Sequence, residues 1–337
     1  MSRKYFLLLL CLGALLTFSK TEGQDLEFSQ FYAAPLHLNP AMIGYSEFPR
    51  FNLNFRDQYP SFGHAFLSFA ASYDQHIHKY NSSVGLSMTG DVAGRGLLST
   101  YTVNGFYAYQ LNLTPGFRVK AGFQASIIQQ GINESKLIYF DQIDPNAGVL
   151  NTNIPTEEAA LGRTNVTQFD LGTGLMGYSK SFFFGVAIKH LLQPKFNYSM
   201  EDDGGSKLPM NIHVHGGKTF FLNDPLFEKD QKYITLSMMY AMQKGFKQIT
   251  AGGHFGRGAL FGGMYFRHTI ANSSSLITVF GVKKGLYRFG YSYDIGLAGL
   301  GSANGAHELS ISVDLGLDPA NQKKARRRDE VVCPARF

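Results

Sequence analysis

From Phe51 to about Leu317, apolar and polar residues alternate with a period of two, in runs of roughly 10–15 residues separated by turn residues. In "FRVKAGFQASII", Phe117, Val119, Ala121, Phe123, Ala125 and Ile127 share one face, and Arg118, Lys120, Gln124 and Ser126 share the other. In "AHELSISVDLGL", Leu309, Ile311, Val313 and Leu315 oppose Glu308, Ser310, Ser312 and Asp314. "YRFGYSYDI" sets Tyr287, Phe289, Tyr291, Tyr293 and Ile295 against Arg288, Ser292 and Asp294. "YITLSMMYAM" sets Ile234, Leu236, Met238, Tyr240 and Met242 against Thr235 and Ser237.

Charged residues on the inner face of a strand are costly in a dry sandwich core. They are ordinary where that face lines a wet lumen and the apolar face meets lipid. Alternating strands of about 9–11 residues are the pattern of an outer-membrane barrel. A secreted β-sandwich or solenoid, the alternative, uses strands nearer 5–6 residues. Closure would also hold the chain together without disulfides, since no strand edge remains unpaired.

The alternation predicts an all-β protein, an antiparallel transmembrane β-barrel of about 14 strands. They begin near Phe51, Ala65, Tyr80, Leu98, Gly116, Val166, Ser181, Pro209, Gln231, Phe246, Ala259, Ser273, Gly285 and Gly305. With a periplasmic N-terminus, "NLTPG", "GYSKS", "GRGA" and "KKG" are short periplasmic turns. Residues 131–165, 193–208 and 296–304 are longer outer loops. Residues 222–230 are long for a periplasmic turn, and "QKG" is short for an outer loop.

The first 23 residues read as a secretion signal. Arg3 and Lys4 precede the apolar run Tyr5–Phe18, which is too short to span a bilayer, and Thr21 and Gly23 sit at −3 and −1 of a cut before Gln24. Cys11 raises a lipoprotein alternative, but Leu10 stands where a lipobox has Gly or Ala. The processed chain then holds one cysteine, Cys333, and no intramolecular disulfide. Of the formal charge of +6, the signal carries two and the tail from Asn321 four, so the body is neutral. A neutral body argues against a nucleic-acid surface. Charged residues are 17% of the chain, against roughly 25% in soluble domains, and aromatics reach 14% without any Trp.

Residues 24–50, "QDLEFSQFYAAPLHLNPAMIGYSEFPR" after the cut, follow neither period. Phe28, Phe31, Tyr32, Leu36, Leu38, Met42 and Ile43 are too apolar to prefer water, and Pro35 and Pro40 are expected to forbid regular helix or strand over the middle. The segment is expected to pack inside the barrel as a partial plug, or to form a docking surface at the periplasmic mouth. Asn39 before Pro40 suits a local turn. The organisation expected is therefore signal 1–23, irregular segment 24–50, barrel 51–317 and basic periplasmic tail 318–337.

"FSQFYAAPLHLNPAMIG" followed by "FRDQYPS" resembles the opening of the PorP/SprF family of outer-membrane proteins. The motif positions are Ser29, Gln30, Tyr32, Pro35, Leu36, Asn39, Pro40, Ala41, Gly44, Arg56, Gln58 and Tyr59, the last standing where the family often has Trp. "VVCPARF", with Cys333 and Pro334, resembles the family's ending. The resemblance implies a bacterial outer-membrane barrel of type IX secretion and, in gliding bacteria, of adhesin display. Its partners would be periplasmic and outer-membrane machinery, secreted adhesin or other cargo, and lipid. It implies neither catalysis nor a cofactor.

In the tail, Lys323, Lys324, Arg326, Arg327 and Arg328 either form a solvated end or dock on acidic faces of periplasmic proteins, where Arg forks bind carboxylates in pairs. His213 and His215 of "HVHGGKT" share a strand face, but no third metal ligand is identifiable. Ile212 replaces the first glycine of a P-loop there. His76 and His78 are expected at a periplasmic turn. Asp141, Asp144 and Asn146 near Gly148 resemble half a calcium loop without its closing Glu, and Glu201, Asp202 and Asp203 form an acidic loop cluster. No nucleophile elbow, carboxylate pair or Cys/His dyad stands out, so no enzyme is expected. Two functions stay open: a non-enzymatic component of type IX secretion, or a transporter for small solutes or hydrophobic molecules with Arg118, Lys120, Arg288 and Asp294 lining its path.

Overall fold

The computed structural model describes residues 25–46, 48–139, 142–143, 164–198, 205–223, 232–270, 274–297 and 305–316. The strands are β1 (Arg50–Gln58), β2 (Phe66–Ile77), β3 (Ser82–Ala93), β4 (Leu98–Thr114), β5 (Phe117–Ile132), β6 (Asn165–Ser179), β7 (Phe182–Lys189), β8 (Lys195–Phe196), β9 (Ser206–Lys207), β10 (Asn211–Phe221), β11 (Lys232–Gln243), β12 (Phe246–Arg257), β13 (Leu260–Thr269), β14 (Ser275–Lys284), β15 (Tyr287–Gly296) and β16 (Ala306–Asp314). All except β8 and β9 pair with their chain neighbours, and β1 pairs with β16, closing a 14-stranded antiparallel barrel. Each expected strand is present, its start within two residues of the expected position.

Closure follows from the pleat. Outward residues such as Leu53, Leu86, Phe123, Leu175 and Met264 are exposed at 40–62%, while their inward neighbours are buried or half-buried. That is a lipid-facing surface, since only a closed sheet satisfies its own backbone in hydrocarbon. One rim carries the start of β1, the end of β16 and tight links such as Pro115–Gly116, Lys180–Ser181 and Gly285–Leu286; it is called the terminal rim. The other, the loop rim, carries the links that join β1 to β2, β5 to β6, β7 to β10 and β15 to β16.

Three expectations are corrected. First, β4 and β5, at 17 and 16 residues, exceed the expected runs of roughly 10–15, and β6, at 15, reaches their upper limit. The wall continues past the bilayer at the loop rim, where inward Ile128 and Val166 pack on Phe196 of the short β8–β9 hairpin. Second, Pro35 opens a one-turn helix, Pro35–Leu38, and Pro40 opens a 3-10 turn, Pro40–Met42. A proline at the first helical position loses no hydrogen bond, so it starts these turns instead of forbidding them. Third, the inner face is not polar throughout. Inward Met176, Phe183, Met239, Tyr265, Ile277 and Val279 join Phe31, Tyr32, Leu38, Ala41, Met42 and Tyr45 in one buried apolar cluster. Residues of the N-terminal segment displace the water that the inner polar side chains would otherwise meet.

Candidate functional site

Two unlike walls face the lumen. On β2, β1, β16 and β15 the register stacks polar residues in rows: Ser68, Arg56, Glu308 and Ser292, then Ser72, Asn52, Ser312 and Arg288, ending at Asp74, Arg50 and Asp314. The wall built from β6, β7, β11, β13 and β14 is the apolar one. Residues 25–46 run between them from one rim to the other. Asp25 bonds His190 and Asn211 beside the loop rim, while Gly44 bonds Asp74 beside the terminal rim. The sequence alternates accordingly: Ser29, Gln30 and Asn39 carry the polar contacts, and the aromatic and aliphatic residues between them carry the apolar ones.

Near the loop rim, Arg56 and Arg267 face Asp294 and Glu308, a buried quartet of zero net charge. Arg56 reaches Asp294 at 3.0 Å and Glu308 at 3.3 Å, and Arg267 reaches Asp294 at 3.0 Å. Ser29 sits at its centre. Its hydroxyl donates to Asp294 at 2.6 Å and accepts from Arg267 at 2.8 Å and from Arg56. The backbone N–H groups of Ser29 and Gln30 donate to the two oxygens of Glu308 at 2.7 and 3.0 Å. The Gln30 amide donates to Ser292 and accepts from Ser310. Gln58 accepts weakly from Arg56 at 3.4 Å. Buried charges persist only when paired and hydrogen-bonded, and this quartet meets that condition through the segment itself.

Midway, the N-P-A turn is held by backbone geometry. Asn39 Oδ1 accepts from Ala41 N at 2.8 Å, and its amide reaches the carbonyls of Leu175 and Val186 and the ring of His215. Two inward glycines make room. A Cβ on Gly122 would lie 2.4 Å from Ala41 N, and one on Gly174 would lie 2.1 Å from Asn39 Oδ1. Leu36 and Ile43 pack on Phe106 and Ala108. At the terminal rim, Arg50 pairs with Asp74 at 3.0 Å and covers the Tyr45 ring at 3.9 Å. Lys120 donates to the carbonyls of Ile43 and Gly44.

At the other end, His190 lies between Asp25 and Asp170, each 2.8 Å from a ring nitrogen. Burial disfavours the imidazolium, but the Asp25 and Asp170 carboxylates outweigh it, and the His190 pKa is pushed up to about 9. Burial likewise works against ionised Asp25, yet His190 holds it well below the usual carboxylate range.

The structure therefore brings Ser29, Gln30, Arg56 and Gln58 into one cluster and Asn39, Pro40 and Ala41 into a second. Tyr59 stands apart, outside β1, at positive φ and against Phe66. His213 and His215 meet the segment: His213 faces the Glu27 carboxylate at 2.9 Å, and its other ring nitrogen hydrogen-bonds the Leu38 carbonyl at 3.1 Å. Among the described residues no group of three or more His, Cys, Asp or Glu could hold a metal. His76 is the last but one residue of β2, its ring 4.7 Å from that of His78 in the turn that follows at the terminal rim. Sequence reasoning missed Asp25, Asp74, Arg267 and the His190 clasp. The one available signal was the number of charges on inward strand positions, each of which requires a partner. Asp141, Asp144, Asn146, Gly148, Glu201, Asp202, Asp203 and the tail residues Lys323 to Pro334 lie outside the described residues.

A closed barrel with a lipid-facing exterior and ionic pairs buried in its lumen defines an outer-membrane protein. The family model of the type IX secretion system membrane protein PorP/SprF matches residues 20–313, and this chain belongs to that family. Solved barrels are similar at low identity. The Ralstonia pickettii toluene transporter TbuX is 12% identical, with 83% of this chain and 91% of that chain covered and a TM-score of 0.46. The P. putida toluene transporter TodX is 10% identical, with 82% and 92% covered and a TM-score of 0.45. Acinetobacter baumannii Omp33 is 9% identical, with 81% and 100% covered and a TM-score of 0.43. Among curated proteins, no relative matches.

Proposed function

We propose that this protein is a closed, non-enzymatic outer-membrane component of type IX secretion. It assists secretion or surface attachment of cargo through its rims, not by passing solutes through its lumen. The observation that carries this reading is the course of residues 25–46, which run through the lumen and are bonded at the loop rim, the middle and the terminal rim. On this reading the signal is cut before Gln24, the terminal rim with its short turns faces the periplasm, and the segment is a plug. The tail residues Lys323, Lys324, Arg326, Arg327, Arg328, Cys333 and Pro334 then reach periplasmic machinery, while adhesin or other cargo meets the loop rim.

The solute-transporter alternative needs an open path lined by charge. Lys120, Arg288 and Asp294 are already engaged by Gly44, Asp314 and Arg56. Transport would require Ser29 to Met42 to leave the lumen. The test of the proposal is removal of the protein from its bacterium with quantification of secreted and surface-displayed cargo. Loss of that cargo, restored by the full chain, is expected; undiminished secretion and display would overturn it.

A further inference from the structure

The outer surface of the barrel at its terminal rim is electrically lopsided. On β10, β11, β12 and β14, outward positions at that end hold Lys218, Lys232, Arg257 and Lys284. Toward the same end, β2 and β4 place Tyr73, Tyr107 and Tyr109 outward. Among the described residues, the strands β1 to β7 place no Lys or Arg outward at that end; the exposed Lys79 and Lys180 there belong to turns beyond the strands. Basic residues spread evenly around a barrel would need no explanation beyond snorkelling. A sector confined to adjoining strands does.

Within it, Lys232 and Arg257 are direct partners in the β11–β12 register. Both point outward, because their neighbours Tyr233 and Gly256 meet inside: a Cβ on Gly256 would lie 2.3 Å from the Tyr233 ring. Like charges set directly opposite on one face of a sheet repel. Neither side chain has an ion-pair partner among the described residues. The surroundings fix what could neutralise them. Leu236, Phe255 and Leu260 are exposed outward beside the pair, and Lys218 lies over the outward ring of Phe220 at 5.0 Å. Cations standing among lipid-facing aromatic and aliphatic residues mark the level at which acyl chains give way to headgroups.

We infer that the outward face of β10 to β14 at the terminal rim binds an anionic phospholipid, whose headgroup phosphate bridges Lys232 and Arg257 while its chains lie over Leu236, Phe255 and Leu260. Lys218 and Lys284 flank this site and widen the positive field. The inference does not depend on the secretion reading; it needs only the barrel and its lipid-facing exterior.

The test is native mass spectrometry of the purified full-length protein with equimolar phosphatidylglycerol and phosphatidylcholine. Wild type should retain phosphatidylglycerol preferentially. The double variant Lys232→Gln, Arg257→Gln should lose that preference by roughly thirty-fold, as expected for two basic residues at a lipid surface. Lys247→Gln, on an outward position at the opposite rim, should leave it unchanged. Heat-modifiable migration on gels confirms that each variant is folded. Equal retention of the two lipids by wild type, or by wild type and the double variant, would overturn the inference. Displacement of the lipid by inorganic phosphate would reassign the site to the free anion. A preference that emerges only after Asp224, Glu228 and Asp230 of the adjacent link are neutralised would mean that those carboxylates occupy the pair. A co-purifying protein crosslinked to position 232 or 257 in place of lipid would make the face a protein interface.

Discussion

Glu308 on the last strand and Ser29 near the start of the chain are joined twice: the carboxylate accepts the Ser29 backbone N–H, and Arg56 bridges both side chains. The N-terminal segment is thereby fastened at the seam where β1 meets β16. Removing Glu308 leaves buried charge without compensation, and removing Ser29 leaves the quartet short of hydrogen bonds.

Glu308→Ala strands Arg56 and Arg267 with one carboxylate between them. A cost of about 3–5 kcal/mol is expected, the usual penalty for breaking a buried pair by deleting one partner. Heat-modifiable gel migration should shift to a lower unfolding temperature, and hydrogen exchange should accelerate over residues 28–32. A variant as stable and protected as wild type would show that the quartet does not hold the segment.

Gly174→Leu tests the fit of the N-P-A turn. Its Cβ would fall 2.1 Å from Asn39 Oδ1, so the turn must withdraw or the strands must shift. The expected result is a folded barrel with rapid hydrogen exchange over residues 36–44. Unchanged protection there would contradict the close approach.

The His190 clasp should depend on pH, with a definite sign. A histidine raised in the folded state stabilises below its ordinary value of 6.5, and that stabilisation is lost as pH rises through about 9. Asp25, lowered by His190, acts oppositely and fails only in strong acid. The N-terminal end of the segment should therefore be held most firmly between about pH 4 and 6.5, and should loosen toward pH 9.5 by up to ~3 kcal/mol. A spin label on Leu26→Cys, in a Cys333→Ser background, should gain mobility over that range. His190→Gln should be mobile throughout. A label whose mobility ignores pH in the wild-type background would contradict the clasp.

Much of the barrel was legible because the pleat writes itself into sequence with a period of two. The runs at Phe117 and Gly305 could hardly be anything else, and their registers follow. The lumen was not legible to the same degree. In "YITLSMMYAM" the alternation separates Met238, Tyr240 and Met242 from Thr235 and Ser237, but it gives no reason for an apolar Met239 on the inner face, where it joins the apolar cluster because a segment covers it. Nor does local pattern reveal that Asp25 meets His190, 165 residues away. The motif positions Ser29, Gln30 and Arg56 were identified as a linear pattern. Their shared purpose, enclosing Glu308 and Asp294, emerges only when β1 closes on β16. Proline was misread because its effect depends on where in a turn it falls.

The account turns on a lumen closed by residues 25–46, and single-channel recording in planar bilayers tests this most directly. The full processed chain should give no steady conductance, whereas a folded variant lacking residues 29–42 should open a persistent ionic path. A stable open current from the intact chain, or an equally silent shortened barrel, would contradict it.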